Sequence, residues 1–205
     1  MLQIRIHGRG GQGVVTATEL LAVAAFEQGR YAQAFPSFGS ERTGAPVVAF
    51  CRIADQAIRL REPILAPDVV IVQDPTLLHQ VDVFQGLVPH GYVLINSRRS
   101  FDELGLGEMV ERTAGRFRHE RLTTVPATEI ALKHLGRPLP NAVLLGGFAA
   151  LSGLITLDAV SHAIRDKFTG KVAEGNVAAA AEAYAFVRQE MQELASQESA
   201  HAAAD

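Results

Sequence analysis

The sequence predicts an α/β fold: a largely parallel sheet flanked by helices, with a helical C-terminal third. Three observations carry that reading. Leu2, Ile4 and Ile6 alternate with polar residues and run into Gly8-Arg9-Gly10-Gly11-Gln12-Gly13, after which an Ala/Leu-rich stretch has helical spacing. Two continuous apolar runs, Asp68-Val69-Val70-Ile71-Val72-Gln73 and Tyr92-Val93-Leu94-Ile95-Asn96, are bounded by turn residues, as strands covered on both faces are. From Asn141 onward the apolar positions follow a helical repeat. The strand, glycine turn and helix at the start make the arrangement Rossmann-like.

Taken in order, Val14, Ala17, Leu21 and Ala24 form one apolar helical stripe, which Gly29 ends. Residues 31–35 read as the second strand and enter a loop, Phe35 to Pro46, that carries two prolines, two glycines and the adjacent pair Glu41-Arg42. A loop of that length leaving the sheet near the glycine turn points to function or an interface; the alternative is a surface loop whose phenylalanines fold back on the core. Residues 47–53 form a strand, and Cys51 within it reads as a buried, inert thiol. Residues 55–62 have no clear pattern. After the strand at 68–73, Asp74 and Pro75 have the chemistry of an N-cap and a first helical position. Gly86 and Gly91 bracket a turn before the strand at 92–96. A weak helix is expected over 108–115, a strand over 117–125, and a helix over 127–135 that Gly136-Arg137-Pro138 stops. Asn141 is expected to cap a helix over 142–154, so apolar that it should be buried nearly all round. Residues 157–168 follow with Thr156 or Asp158 as cap. Asn176 then precedes a stripe of Val177, Ala181, Tyr184, Val187, Met191 and Leu194. Residues 1–195 read as one domain, and 196–205 as a small, polar tail expected to fray.

The bulk numbers exclude several classes. A net charge of −3 with no concentrated basic patch argues against a nucleic-acid partner. One cysteine in 205 residues cannot build a thiolate cluster or an intrachain disulfide. No stretch is long and apolar enough to span a membrane and no signal-peptide pattern opens the chain, so a soluble, cytoplasmic protein is expected.

The glycine turn is the first candidate site. Gly8, Gly10 and Gly13 satisfy the G-x-G-x-x-G spacing, and its backbone N–H groups are expected to point outward at the start of a helix, where an anion is favoured. Val14-Val15 replace the Lys-Ser/Thr of a nucleotide phosphate loop, and no acid follows the second strand to hold a ribose. Three readings remain: a bound dinucleotide, a turn that needs glycine for packing alone, and an anion or a partner's cofactor facing the turn. His7 at the end of the first strand is the one histidine near this site. The seven histidines have no metal-ligand spacing, and no serine sits in a G-x-S-x-G elbow. The cluster Arg112, Arg116, Arg118, His119 and Arg121 alternates with Phe117, Glu120 and Leu122, as a solvated strand face does. No catalytic or metal-binding residue is therefore assigned. An anion-friendly turn without catalytic machinery suggests part of a larger enzyme.

The glycine turn together with Pro36-Ser37-Phe38-Gly39-Ser40-Glu41-Arg42 and Gly44-Ala45-Pro46 resembles the gamma subunit of pyruvate:ferredoxin oxidoreductases and their 2-oxoacid relatives. The resemblance continues through Pro67–Val72, Asp74–Leu77, Leu135–Pro138, Asn141 with Leu145-Gly146, and Asn176-Val177, and so covers residues 2 to about 190. Residues 44–50 are more similar to the pyruvate type than to the oxoglutarate or indolepyruvate types. Thr43 departs from a position that is basic in the family. The resemblance implies a non-catalytic subunit of an enzyme that converts a 2-oxoacid to acyl-CoA and CO2. It implies thiamine diphosphate with Mg held by alpha and beta subunits, [4Fe-4S] clusters in beta and delta subunits, and ferredoxin or an NAD-reducing subunit as acceptor. Pyruvate is the expected substrate, with an aromatic 2-oxoacid such as phenylglyoxylate as the other choice. On this reading Gly8, Arg9, Gly10, Gly11, Gln12, Gly13, Ser37, Glu41 and Arg42 face the coenzyme A side of the active site. The alternative is a free-standing dinucleotide-binding protein or oxidoreductase.

Overall fold

The structure, a computed structural model, describes residues 1–37, 43–107 and 121–202, with side chains as far as residue 196. Six strands form one sheet: β1 (Leu2–Arg9), β2 (Tyr31–Pro36), β3 (Pro46–Ala54), β4 (Val69–Val72), β5 (Tyr92–Asn96) and β6 (Leu122–Val125). Their order is β2-β3-β1-β4-β5-β6. β1, β4, β5 and β6 pair in parallel, while β3 runs antiparallel to both β1 and β2. Of these strands β3 alone opposes the rest, which gives the largely parallel sheet that the sequence predicts.

Five helices, α1 (Val14–Glu27), α2 (Ala127–Leu135), α3 (Asn141–Ser152), α4 (Leu157–Lys167) and α5 (Gly170–Ala202), complete the described elements together with one 3-10 turn at Pro75–His79. All five send buried side chains into one cluster with Ile4, Ile6, Val69, Ile71, Leu94 and Val125, so they stack on one face of the sheet. The opposite face presents Val70, Val72, Val93 and Ile95. Leu77, Val83 and Leu104, from the stretches after β4 and β5, cover them. α3 lies at the centre of the helical layer, with residues 141–151 all buried. Burying one leucine there, such as Leu144 or Leu145, contributes about 2 kcal/mol. A Cβ on Gly146 would stand 2.0 Å from the Ala180 carbonyl oxygen, so α3 and α5 meet backbone to backbone.

Several local expectations change. Asn141 is the first residue of α3, not its cap; Pro140 holds the cap position without a side-chain bond, and Gly153 at φ 63° ends the helix just past Ser152. Thr156 caps α4 by accepting from the Ala159 N–H at 3.1 Å. α5 starts at Gly170, so Asn176 lies inside it and donates to the Val172 carbonyl at 2.8 Å. The backbone of α5 continues as helix through 196–202, where fraying was expected. Asp74 caps a 3-10 turn rather than a longer helix. The helix expected over 108–115 and the residues Arg112, Arg116, Arg118 and His119 lie outside the described residues. Arg121 is described: it donates to the His90 carbonyl and stacks on Tyr92 at 4.8 Å.

Candidate functional site at the carboxyl edge of the sheet

Chain connections part between β1 and β4. α1 carries the chain from β1 toward β2 and β3, whereas β4 leads to β5 and β6 on the other side. A parallel sheet opens a crevice beyond the strand ends at such a point. Here residues 8–13 line one side of it and Gln73-Asp74 the other.

On the face away from the helices the crevice is closed by a polar network. Arg9 donates from Nε to Asp74 at 3.1 Å, from Nη1 to the Gly44 carbonyl at 3.0 Å, and from Nη2 to Thr76 Oγ1 at 2.6 Å and Gln80 Oε1 at 3.0 Å. Gln12 accepts from the Arg9 N–H at 2.8 Å and donates to Asp74 at 2.9 Å. Thr76 gives Asp74 both its N–H and its hydroxyl. Burial pulls the Asp74 carboxyl upward. The hydrogen bonds from Thr76 and Gln12 and the charge of Arg9 together outweigh it and hold the carboxyl below its ordinary range.

The loop between β2 and β3 joins the same network. Gly10 bridges Thr43, its N–H donates to the Ala45 carbonyl at 2.9 Å, and the Gly44 N–H donates to the Gly10 carbonyl at 3.1 Å. The two informative stretches of the sequence therefore touch. The turn is consequently less open than its glycine content suggests, because the N–H groups of Arg9, Gly10 and Gln12 are already bonded. Gly11 and Gly13 have left-handed φ of 93° and 71°, whereas Gly8 is an extended residue of β1. Gly8 is glycine for space: a Cβ there would lie 2.6 Å from Val14.

On the helix face the crevice has the opposite character. Gln73 is 1% exposed and neither of its amide atoms has a hydrogen-bond partner among the described residues. Asn141 is buried at the start of α3, and its Nδ2 stands 2.4 Å from where a Gly13 Cβ would lie. α1 begins from Gly13 and α3 from Pro140, neither with a side-chain cap. Two helix N-termini, each with its positive dipole end, thus abut at one point. By contrast α2 is served by Asn96, whose Oδ1 accepts from the Thr128 N–H at 3.1 Å while its Nδ2 donates to the Gln73 carbonyl at 2.8 Å.

Of the residues singled out by sequence, Gly8, Arg9, Gly10, Gly11, Gln12 and Gly13 gather at the crevice. Ser37 is exposed and its N–H pairs with the Val48 carbonyl, while Glu41 and Arg42 lie outside the described residues. Sequence reasoning missed Gln73, Asn96 and Asn141 as site residues. Their shared signal is a polar amide ending each buried strand or opening a buried helix. His7 sits between Val48 and Val72 with neither ring nitrogen bonded among the described residues, and burial, aided by Arg5, pushes it down to about 3. Such an enclosed neutral ring is no general base. Cys51 is fully buried in β3 and burial pushes its thiol up to about 12, so it is unavailable to a cluster. Among the described residues no three His, Cys, Asp or Glu side chains converge as a metal site requires, and no helix is long and apolar enough to cross a membrane. β2 stands two strand spacings, about 10 Å, from β1, because β3 intervenes. The strand that carries the ribose-binding acid in a dinucleotide fold is thus displaced from the glycine turn, which counts against the free-standing dinucleotide reading.

Comparison with known proteins agrees with this reading. Residues 3–186 match the family described as Pyruvate ferredoxin/flavodoxin oxidoreductase. The chain is 49% identical over 186 residues to pyruvate synthase subunit PorC of Methanothermobacter marburgensis, covering 90% of this chain and 96% of that one. It is 48% identical over 184 residues to the pyruvate/ketoisovalerate oxidoreductases common subunit gamma of Thermococcus kodakarensis, with the same shares covered. The crystal structure of pyruvate oxidoreductase subunit PORC from Thermotoga maritima superposes with a TM-score of 0.73 at 37% identity, over 89% of this chain and 94% of that one. A 2-oxoglutarate:ferredoxin oxidoreductase from Magnetococcus marinus shares the fold, with a TM-score of 0.69 at 18% identity, and this chain spans 31% of its length. The chain belongs to the pyruvate ferredoxin/flavodoxin oxidoreductase family, in which it is a gamma-type subunit of a multi-subunit 2-oxoacid oxidoreductase.

Proposed function

We propose that this gamma chain, a single domain over residues 1–195, supplies the coenzyme A side of a pyruvate-type active site whose reacting groups are held by other subunits. The observation that carries this is the meeting of the glycine turn with the 43–45 loop at the β1–β4 crevice. In the assembled enzyme thiamine diphosphate supplies the decarboxylation chemistry and coenzyme A accepts the acyl group. This chain's own part is to shape and orient. The Arg9–Asp74 network fixes the turn, and Gly11 leaves its outer side open, since a Cβ there meets nothing within 4 Å. An anionic tail suits the N–H groups at the start of α1. Alpha, beta and delta subunits hold thiamine and the clusters, and electrons leave to ferredoxin or an NAD-reducing partner, in the cytoplasm.

The test is the assembled enzyme carrying Gly11→Phe, with Gly153→Phe as control. Gly153 has the same left-handed backbone and open surroundings at the far end of α3. The KM for coenzyme A should rise about tenfold in the first variant, the size of one lost charge-assisted contact, with the pyruvate KM unchanged. An unaltered coenzyme A dependence in an assembled Gly11→Phe enzyme would refute the assignment.

A further inference from the structure

We propose that the helix face of the crevice is an oxyanion subsite, built by the converging N-termini of α1 and α3 with the side-chain amides of Asn141 and Gln73. It deepens the coenzyme A reading and rests on it only for where the anion comes from.

Three independent observations lead there. First, α1 and α3 meet start to start, Asn141 Nδ2 standing 2.4 Å from the Cβ position of Gly13, and neither helix has a side-chain cap. Elsewhere side chains serve such ends: Asn96 accepts from the Thr128 N–H in the first turn of α2, Thr156 caps α4 and Asp74 caps the 3-10 turn. Leaving two adjacent ends uncapped keeps their N–H groups available. Second, Gln73 and Asn141 are both more than nine-tenths buried, and neither amide atom of Gln73 has a partner among the described residues. Gln73 lies beside the first turn of α1, its Cβ 3.2 Å from the Cβ position of Gly8, which in turn stands 2.6 Å from Val14. A buried amide with nothing to bond is costly and calls for an occupant. Third, the nearby carboxylate, Asp74, is bound to Arg9, Gln12 and Thr76 and held on the opposite face. What remains on the helix face is two positive dipole ends and side-chain amides that can turn an N–H toward an anion. That chemistry takes a phosphate or a carboxylate group.

The experiment uses the full chain, 15N-labelled, titrated with inorganic phosphate and, separately, with acetate, against chloride at equal ionic strength. The expected result is saturable movement of the Gly11, Gly13, Val14 and Asn141 backbone amide signals. Asn141→Leu and Gln73→Met, which keep volume and remove the donors, should each weaken binding about tenfold. Tighter phosphate than acetate assigns a phosphate ester as the natural group, and the reverse assigns a carboxylate. No saturable shift with either anion, or equal shifts in the variants, would overturn the subsite. The coenzyme A reading is separated by assaying Asn141→Leu in the assembled enzyme. Phosphate binding by the full chain alongside an unmoved KM for coenzyme A leaves the subsite standing and removes coenzyme A as its source.

Discussion

The two sides of the β1–β4 crevice, marked by adjacent residues just past the end of β4, are built on opposite plans. Asp74 points to the face without helices and accepts four hydrogen bonds, from Arg9, Gln12 and twice from Thr76. Gln73 points to the helix face and its side chain makes none among the described residues. Strand alternation alone separates them. The bonded side ties together three segments distant in sequence: the glycine turn, the loop at 43–45 and the 3-10 turn. It behaves as a clamp that sets the shape of the crevice. The unbonded side leaves the Gln73 amide buried without a partner among the described residues, at a cost in stability.

The largest expected effect lies on the bonded side. Asp74→Ala removes the carboxylate that pairs with the Arg9 charge and the acceptor of the Arg9 Nε–H, the Gln12 amide and the Thr76 N–H. Stability should fall by about 3 kcal/mol, read from the shift of the urea unfolding midpoint of the full chain. Asp74→Asn, which keeps an acceptor oxygen, should lose about half as much. A loss below about 1 kcal/mol in Asp74→Ala would mean that the network is a surface decoration and not a clamp.

Acid should loosen the same side through His7, which lies beneath Arg9 on that face. Burial first, and the Arg5 charge second, push the His7 ring from its ordinary 6.5 to about 3. The unfolded chain therefore binds the extra proton first. Stability is complete above pH 6.5 and is lost as pH falls toward 3, by about 2–3 kcal/mol on reaching pH 4.5. Asp74 is also depressed, from 3.8, so its contribution is complete above that pH and is lost only on further acidification. The two windows overlap only at the acid end, between about pH 3 and 3.8. His7→Leu should flatten the stability profile between pH 6.5 and 4.5 and leave the steeper drop below about pH 4. A slope unchanged in that variant would show that the ring is not the acid-sensitive group.

Much of this architecture is legible in the sequence because it is written in local chemistry. The alternation of β1, the apolar runs of β4 and β5, and the cap at Thr156 each depend on neighbours a few residues away. The insertion of β3 between β2 and β1 is not legible, since pairing Ile4 with Cys51 joins residues that local pattern cannot relate. Asn141 shows the same limit at a smaller scale. An asparagine before an apolar helix reads as a cap, yet Pro140 takes that place and turns the amide toward Gly13. The glycine turn is legible as a candidate, but which of its N–H groups are spent depends on the 43–45 loop lying against Gly10. Gln73 carries only the faint signal of a polar amide just past a buried strand. Its meaning lies in what fails to surround it.

The smallest effect is the most discriminating, because its sign differs between the two sides. Removing the polar group of Asp74 destabilises, whereas removing that of Gln73 should stabilise. Gln73→Met preserves the length of the side chain and replaces an unbonded amide with a thioether that packs against Val14 and the surrounding apolar cluster. Losing a buried donor and acceptor that had no partner should raise stability by about 1 kcal/mol in a buffer without phosphate or carboxylate, seen as a higher unfolding midpoint. Adding phosphate should then raise the midpoint of the parent chain and leave the variant where it was, closing the gap between them. A loss of stability in Gln73→Met would mean that the amide is already satisfied within the folded chain. The contrast between a bonded and a waiting side would then disappear.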